Sequence, residues 1–362
     1  MPFSLPRRRA LLALIASATT LPALAADPAL LNVSYDVARE LYKQLNPAFV
    51  AAQKAKGQAV TVNQSHGGSS KQIGAVIGGL EADVVTMNQA TDVDQLASAG
   101  LTAADWRSRF PNGAAPYSST MLFLVRKGNP KGIKDWSDLA RPGVQVIIPN
   151  PKVTGNGRYG YLAAWGSVIA TGGSEAQARE RVARIFANVP VLDGGGRGAT
   201  TTFTQRGIGD VLVTFEAEVE LIENEFGKGQ FEQVNPGISI ETEAPVALVD
   251  KVAGKHGTAA LAKAYLDFHW APEAQEIIAK NNFRPRDPAV FKKHAARFAD
   301  IKLFGIDQLG GWAKVGKTHF ADGGIYDQIV TGIKRLPLLE KESCRALPPR
   351  WASRCSICRC WC

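Results

Sequence analysis

Hydrophobic and polar positions alternate along the chain in a pattern that predicts strands and helices in turn. The first strands are predicted where short apolar runs occur, at Leu30–Val33, Val60–Asn63 and Asp83–Met87. Between these runs, apolar residues recur at helical spacing, first at Val37, Leu41 and Leu45 and then at Ile73, Val76, Ile77 and Leu80. Strands that alternate with helices predict crossover connections and mostly parallel sheets covered by helices.

The same alternation returns in the second part of the chain. Strands are predicted there at Gln145–Pro149, Val189–Asp193 and Asp210–Phe215, and helices at Tyr159–Ala170 and Thr200–Arg206. The chain therefore has the pattern of an α/β protein in both parts.

Two turn-rich stretches, Pro111–Tyr117 and Asn235–Pro245, interrupt the alternation. Each is followed by a strand-like segment, Thr120–Val125 or Val246–Val249. We interpret these segments as connections between two α/β lobes. Lobe I is then discontinuous and comprises residues 26–117 and 246–335, and lobe II comprises residues 118–245.

Both chain ends differ from the body in composition. Residues 1–25 contain three arginines, a short apolar core and the small residues Ala23 and Ala25, which predicts a signal peptide and export. All 5 cysteines lie in residues 336–362, an atypical tail that we expect to be disordered. Its closely spaced cysteines would suit a soft metal, but prolines and arginines surround them, and we expect no metal site. The body needs no disulfide.

The net charge of the 362 residues is +9, which by itself would suit a nucleic-acid partner. However, the predicted leader contributes three of these charges and residues 336–362 contribute a net three, so residues 26–335 carry only +3. The basic residues of that body are not clustered, and we expect no nucleic-acid partner.

Three segments share one local sequence pattern, in which a strand is followed by a small polar or glycine-rich turn and then by a helix. They are Gln64–Lys71, Asn150–Arg158 and Asp193–Ala199, and Asp36 marks a fourth, weaker helix start. The first turn of a helix presents free N–H groups, and glycine allows an anion to approach them. Because such turns occur in both predicted lobes, they favour a shared anion site between the lobes.

Catalytic alternatives have little support in the sequence. Gly194, Gly196 and Ala199 fit a G-x-G-x-x-A dinucleotide fingerprint, but the match is isolated and lies deep in the chain. His66-Gly67-Gly68 is similar to an oxyanion-hole segment, yet no G-x-S-x-G motif accompanies it. The 5 histidines form no i, i+4 pair. No set of nucleophile, base and orienting residue can be nominated, and no cofactor is expected.

Several longer segments carry a resemblance to a known family. They are Leu31–Asp36, Gln64–Lys71, Glu81–Val85, Phe123–Pro130, Asn150–Lys152, Leu162–Trp165, Arg206–Leu212, Arg284–Asp287 and Gly310–Lys314. Together they resemble the periplasmic sulfate-binding proteins of bacterial ABC importers, which are close relatives of thiosulfate-binding proteins. The resemblance runs from about Leu31 to about Arg335. It implies a two-lobed, type II-like periplasmic binding protein with a mostly parallel sheet in each lobe and the ligand in the cleft between them.

The resemblance also implies ligand-binding residues. From lobe I they are Asp36, through its backbone N–H, and Ser69; from lobe II they are Thr154, Gly155, Asn156, Gly196 and Phe215. Arg197 is expected behind the site, paired with a carboxylate. The chain departs from the family at Asn156, where glycine is typical, and at Phe215, where a tryptophan usually donates its indole N–H to the anion.

The function implied is that of a monomeric, non-enzymatic periplasmic protein that captures sulfate or a closely related sulfur oxyanion. It would deliver the anion to the permease subunits of an ABC importer. Two alternatives remain open at this point: thiosulfate as the main ligand, or an exported enzyme that acts on sulfate or phosphate esters.

Overall fold

The computed structural model describes residues 27–227 and 229–333. The predicted leader, residues 1–25, and the predicted tail, residues 336–362, lie outside this part of the chain. Within it, no helix combines the length and the apolar character that crossing a membrane requires.

The strands of the described residues are β1 (Ala29–Tyr35), β2 (Thr61–Gly67), β3 (Val84–Thr86), β4 (Tyr117–Arg126), β5 (Val146–Ile147), β6 (Val211–Phe215), β7 (Phe231–Val234), β8 (Ile238–Glu243), β9 (Val246–Leu248), β10 (Arg284–Pro285) and β11 (Lys302–Phe304). The α-helices are α1 (Arg39–Ala55), α2 (Ser69–Ile77), α3 (Ala90–Ser98), α4 (Pro111–Ala114), α5 (Gly155–Ile169), α6 (Glu175–Ala187), α7 (Gly196–Thr204), α8 (Glu216–Phe226), α9 (Asp250–His256), α10 (Ala259–Phe268), α11 (Pro272–Lys280), α12 (Pro288–Lys293) and α13 (Gly311–Val315). Short 3₁₀ turns occupy Asp36–Ala38, Trp106–Ser108, Asp138–Ala140, Ala295–Arg297 and Ile306–Leu309, a π-helical turn follows at Gly316–Phe320, and residues 325–333 are helical.

The first sheet has the strand order β2-β1-β3-β9. Strand β1 runs parallel to both β2 and β3, whereas the edge strand β9 is antiparallel to β3. Tyr35, the last residue of β1, pairs with Gly67, the last residue of β2. The two helix starts that follow these strands are therefore neighbours at one edge of the sheet.

The second sheet has the order β11-β8-β4-β6-β5 and is mixed, not mostly parallel as predicted. Strands β5 and β6 are parallel, and so are β11 and β8, but β4 is antiparallel to β6, β7, β8 and β10. The reason lies in the connections between the sheets. Strand β4 carries the chain into the second sheet and β8 leads it back, so the two pair in opposite directions, with Ser118 opposite Glu243.

Two local predictions were wrong. The segment predicted as a strand at Val189–Asp193 is not in a sheet; Pro190 within it lacks the N–H that a strand ladder needs. The turn-rich stretch Asn235–Pro245 contains strand β8, whose alternating residues were masked by the proline at each end of the stretch.

The division of the chain into lobes at 118 and 245 stays a prediction. Strands β10 and β11 belong to the second sheet, although their residues fall in the range assigned to lobe I, because the chain crosses to that sheet again after α11. Below, the first lobe denotes the four-stranded sheet with its helices, and the second lobe denotes the mixed sheet with its helices.

Helix α1 covers the first sheet with apolar side chains spaced four residues apart. Leu41, Leu45 and Phe49 are each 0% exposed, as the helical spacing of the sequence predicts. Burial of one such side chain contributes roughly 1.5–3 kcal/mol to folding. The buried face fixes α1, and with it the preceding turn at Asp36, on the first sheet.

Candidate anion-binding site

One small cavity lies where helix starts from both lobes meet. Its lining comprises Tyr35, Asp36, Val37, Gly67, Gly68, Ser69 and Asn88 from the first lobe and Thr154, Gly155, Asn156, Gly195, Gly196 and Phe215 from the second. All seven residues predicted to bind the ligand are among them. The cavity is small, because the centre of a water molecule can move within only about 20 Å³ of it.

Backbone N–H groups of four helix starts border the cavity. The first bonds within these helices are donated by Arg39, Gln72, Arg158 and Ala199. The N–H groups of the residues before these have no acceptor within their helix. They include the N–H groups of Asp36, Ser69, Gly155 and Gly196. They also lie at the positive end of each helix dipole. The arrangement suits an anion.

The two glycine turns of the second lobe are held side by side. The backbone N–H of Asn150 donates to the carbonyl oxygen of Asp193 at 2.8 Å, which joins the loop before α5 to the loop before α7. Asn150 also shapes its own loop, because its carbonyl oxygen accepts from the backbone N–H of Thr154 at 3.1 Å. This bonding brings Gly155 and Gly196 to the same cavity from segments about 40 residues apart in the chain.

Thr154 caps helix α5. Its hydroxyl oxygen accepts from the backbone N–H of Gly157 at 2.9 Å, and its hydroxyl hydrogen is donated to the carbonyl oxygen of Asn150 at 3.0 Å. Thr154 was predicted to be one of the residues that bind the ligand. In the structure its hydroxyl hydrogen is engaged within the loop, and the nearest free donors are the N–H groups of Gly155 and Asn156.

Ser69, the first residue of α2, is only 3% exposed. Its hydroxyl group donates to the carboxylate of Asp92, which is 0% exposed and also accepts from the side chain of Gln89 at 2.9 Å. Burial raises the pKa of Asp92, while the hydrogen bonds from Ser69 and Gln89 and the charge of Arg158 act in the opposite direction. This buried carboxyl group was not predicted from the sequence.

Asn156 places a carboxamide beside Gly196. The side chain is 5% exposed, and its Oδ1 is buried without a hydrogen-bond partner. A Cβ atom on Gly196 would lie 2.9 Å from Asn156 Nδ2, so glycine allows the close approach of the two helix starts. The residue thus contributes a polar side chain to the cavity as well as its backbone N–H.

Asn88 is a polar residue of the lining that was not predicted from the sequence. It lies two residues beyond β3 in the first lobe, is 7% exposed, and has a buried Oδ1 with no hydrogen-bond partner. A polar residue just after a predicted strand, at the edge where parallel strands end, was the available signal. It was missed because no glycine turn follows it.

Phe215, the last residue of β6, forms an apolar wall of the cavity. It is 3% exposed, and its ring lies edge-on to that of Tyr159, with 6.1 Å between the centroids. The next residue, Glu216, is buried and pairs with Arg284 through two hydrogen bonds of 2.7 and 2.9 Å. This ion pair holds the start of α8, and therefore the end of β6, against the strand β10.

Charged groups lie at the rim of the cavity. Burial raises the pKa of Asp36, against the opposing effect of Arg39, Arg197 and Lys71, whose positive charges surround that carboxyl group. Arg197 does not line the cavity; its guanidinium pairs with the carboxylate of Glu225. Hydrogen bonding to Arg197 lowers the pKa of Glu225.

His66 immediately precedes the Gly67-Gly68 turn. Burial lowers its pKa to about 4, and its Nδ1 atom is buried without a partner. Ser69 and Asp92 bond to each other and not to this ring. Among residues 27–227 and 229–333, no group of three or more histidine, cysteine or carboxylate side chains could hold a metal ion.

Comparisons with known proteins agree with this geometry. The family model described as "Bacterial extracellular solute-binding protein" matches residues 30–284. The thiosulfate-binding protein of Pseudomonas aeruginosa is 57% identical over 308 residues, which cover 84% of this chain and 92% of that protein. The sulfate-binding protein of Salmonella typhimurium is 54% identical over 309 residues, which cover 84% of this chain and 94% of that protein.

A solved structure extends the similarity to the fold. The sulfate-binding protein SubI from Mycobacterium tuberculosis H37Rv superposes with a TM-score of 0.74 at 34% sequence identity, over 80% of this chain and 98% of that one. The two-lobed α/β architecture is thus that of periplasmic binding proteins. By the match of residues 30–284 and by relatives at 57% and 54% identity, the chain belongs to the family of bacterial extracellular solute-binding proteins.

Proposed function

We propose that the protein captures sulfate, or a closely related sulfur oxyanion such as thiosulfate, and delivers it to an ABC importer. The observation that carries this proposal is the convergence of helix starts from both lobes on one small cavity. The relatives that support the choice of ligand are named for sulfate or for thiosulfate binding.

The lining of the cavity suits a dianion that carries no proton. Such an anion accepts hydrogen bonds and donates none, and the helix starts offer backbone N–H donors. Hydrogen bonds to charged groups contribute roughly 1.5–3 kcal/mol each. About five or six of them, after association costs of several kcal/mol, are sufficient for about −8 kcal/mol, a micromolar affinity. No lysine or arginine is needed, and none is among the described residues of the lining.

The cellular role follows from the same proposal. We expect an exported protein that works in the periplasm as a monomer and docks on the permease subunits of the importer. The lobes close on the anion by a hinge motion at the crossing strands β4 and β8. We expect no enzymatic activity, because Ser69, whose hydroxyl group donates to Asp92, has no histidine bonded to it among the described residues.

Calorimetric titration with free sulfate tests the proposal. We expect micromolar binding, and the absence of binding up to millimolar sulfate would exclude the transport function. Competition with thiosulfate, molybdate and phosphate then ranks the anions. Turnover of an aryl sulfate or an aryl phosphate would favour the alternative of an exported esterase.

A further inference from the structure

Asn88 bridges the two lobes at the anion cavity. The residue follows β3 of the first lobe, yet its carboxamide lies against Gly155, the first residue of helix α5 in the second lobe. A Cβ atom on Gly155 would lie 2.3 Å from Asn88 Oδ1 and 2.8 Å from both its Cγ and its Nδ2. Glycine at position 155 therefore makes room for a side chain that arrives from the other lobe.

The carboxamide of Asn88 is buried but incompletely paired. The side chain is 7% exposed and its Oδ1 atom has no hydrogen-bond partner. An unpaired buried polar group is costly, and an anion that carries no proton cannot pair with an amide oxygen, so the amide must present its NH₂ group to such a ligand. The oxygen and nitrogen of an asparagine side chain exchange places by a rotation of the amide, so the same pocket accommodates the NH₂ group directed at a ligand.

Neither Ser69 nor Asp36, which line the cavity from the first lobe, offers the anion a free side-chain donor. The Ser69 hydroxyl group donates to Asp92, and the carboxyl group of Asp36 repels anions when it is charged. The backbone N–H groups of helix starts come from rigid elements of one lobe each. Asn88 differs from them because it touches the opposite lobe and the cavity at once.

We propose that the Nδ2 group of Asn88 donates a hydrogen bond to the bound oxyanion and thereby couples anion binding to contact between the lobes. This inference rests on the proposed function, since the ligand is the oxyanion proposed above. Beyond that function, it assigns Asn88 as a side-chain donor to the anion. It also assigns Gly155 as the position whose missing side chain makes room for Asn88.

The test is a titration of the full chain with sodium sulfate, in which wild type is compared with Asn88→Ala and Asn88→Asp. Loss of one hydrogen bond to a charged group predicts about 10- to 100-fold weaker binding for Asn88→Ala. Asn88→Asp keeps the size but replaces donor by carboxylate, so its loss is expected to be at least as large. Asn235→Ala, an exposed asparagine outside the cavity, is the matched control and should bind as wild type does.

Gly155 provides a second, independent arm. In Gly155→Ala the new methyl group displaces Asn88, so sulfate binding should weaken. In the double variant Asn88→Ala/Gly155→Ala that clash is gone, and the affinity should equal that of Asn88→Ala alone. Additive losses in the double variant would show that Gly155 acts without Asn88 and would contradict the coupling.

The outcomes separate this inference from the proposed function. If wild type binds sulfate and Asn88→Ala binds it equally well, the role of Asn88 is refuted and the proposed function stands. If wild type binds no sulfate, both are refuted. Circular dichroism melting of each variant without sulfate checks that a weaker affinity does not reflect a misfolded protein, and stopped-flow kinetics should place the loss in faster sulfate release.

Discussion

The hydroxyl group of Ser69 donates its hydrogen to the buried carboxylate of Asp92, 23 residues further along the chain. Thr154 shows the same behaviour in the second lobe, where its hydroxyl group donates to the carbonyl oxygen of Asn150. The hydroxyl groups of Ser69 and Thr154 therefore satisfy acceptors of the protein itself. The backbone N–H groups and the two asparagine side chains remain as donors for an anion.

Asp92 makes anion binding sensitive to pH. When its carboxyl group is protonated it can donate to the Ser69 oxygen, which frees the hydroxyl hydrogen for the anion and removes a nearby negative charge. Because burial raises the pKa of Asp92, the protonated form gains population as pH falls toward that raised pKa, and sulfate affinity should rise. The charged group that faces this carboxyl group is Arg158, and the polar groups are Ser69, Ser70 and Gln89.

Asp92→Asn tests this pH dependence. The amide can donate to Ser69 at every pH, so sulfate should bind more tightly than to wild type at pH 8, by at most roughly 1.5–3 kcal/mol. The difference should shrink as the pH is lowered to 5. Calorimetric titrations across that range measure both effects. Parallel pH profiles for wild type and Asp92→Asn would exclude Asp92 as the titrating group.

Gly196→Asp should abolish anion binding. The substitution adds a carboxylate at the first residue of α7, where the proposed site has only an N–H donor, and like charges repel. Its Cβ atom would also lie 2.9 Å from Asn156 Nδ2. Gly254→Asp is the matched control, because the same charge is added on an exposed helix where no atom lies within 4 Å of the new Cβ. Sulfate titration should show loss for the first variant only.

The sequence predicted the local parts of this site and missed the contacts between distant segments. Glycine, serine and threonine turns before Ser69, Gly155 and Gly196 are local signals, because cap chemistry and free N–H groups depend on a few neighbouring residues. The partners Asp92 and Asn88 carry no such signal. Their roles arise when α3 approaches α2 and when the two lobes meet, and no local pattern encodes either approach.

The same distinction explains the errors in the fold. Strands β1 and β3 were predicted to within two residues because each is an apolar run, whereas β2 continues to Gly67 through four residues that had been assigned to a turn. Strand β8 was missed because Pro236 and Pro245 lie beside it and indicate turns, and because its antiparallel partner β4 precedes it by more than 100 residues.

The buried pair of Glu216 and Arg284 should be important for stability. Their side chains are 4% and 9% exposed as whole residues, and Glu216 also accepts from the backbone N–H of Ala299 at 2.7 Å. Arg284→Met leaves an unpaired buried carboxylate and should lower the free energy of unfolding by about 3–5 kcal/mol. Urea denaturation measures the loss. Glu216→Gln/Arg284→Met has no charge to bury, keeps an acceptor for Ala299, and should recover most of the stability; a double variant as unstable as Arg284→Met would contradict this account.

Phe215→Trp should tighten sulfate binding, because the apolar wall that Phe215 forms offers the anion no donor. An indole N–H at this position adds one charge-assisted hydrogen bond, which contributes at most roughly 1.5–3 kcal/mol to binding. The larger ring must fit beside Tyr159, and overpacking should lower the free energy of unfolding by about 1–3 kcal/mol. Sulfate titration and urea denaturation measure the two effects separately. Phe215→Leu keeps the wall apolar without a donor and should not bind sulfate more tightly than wild type. If Phe215→Trp leaves sulfate affinity unchanged and Gly196→Asp is tolerated as well, the anion binds elsewhere.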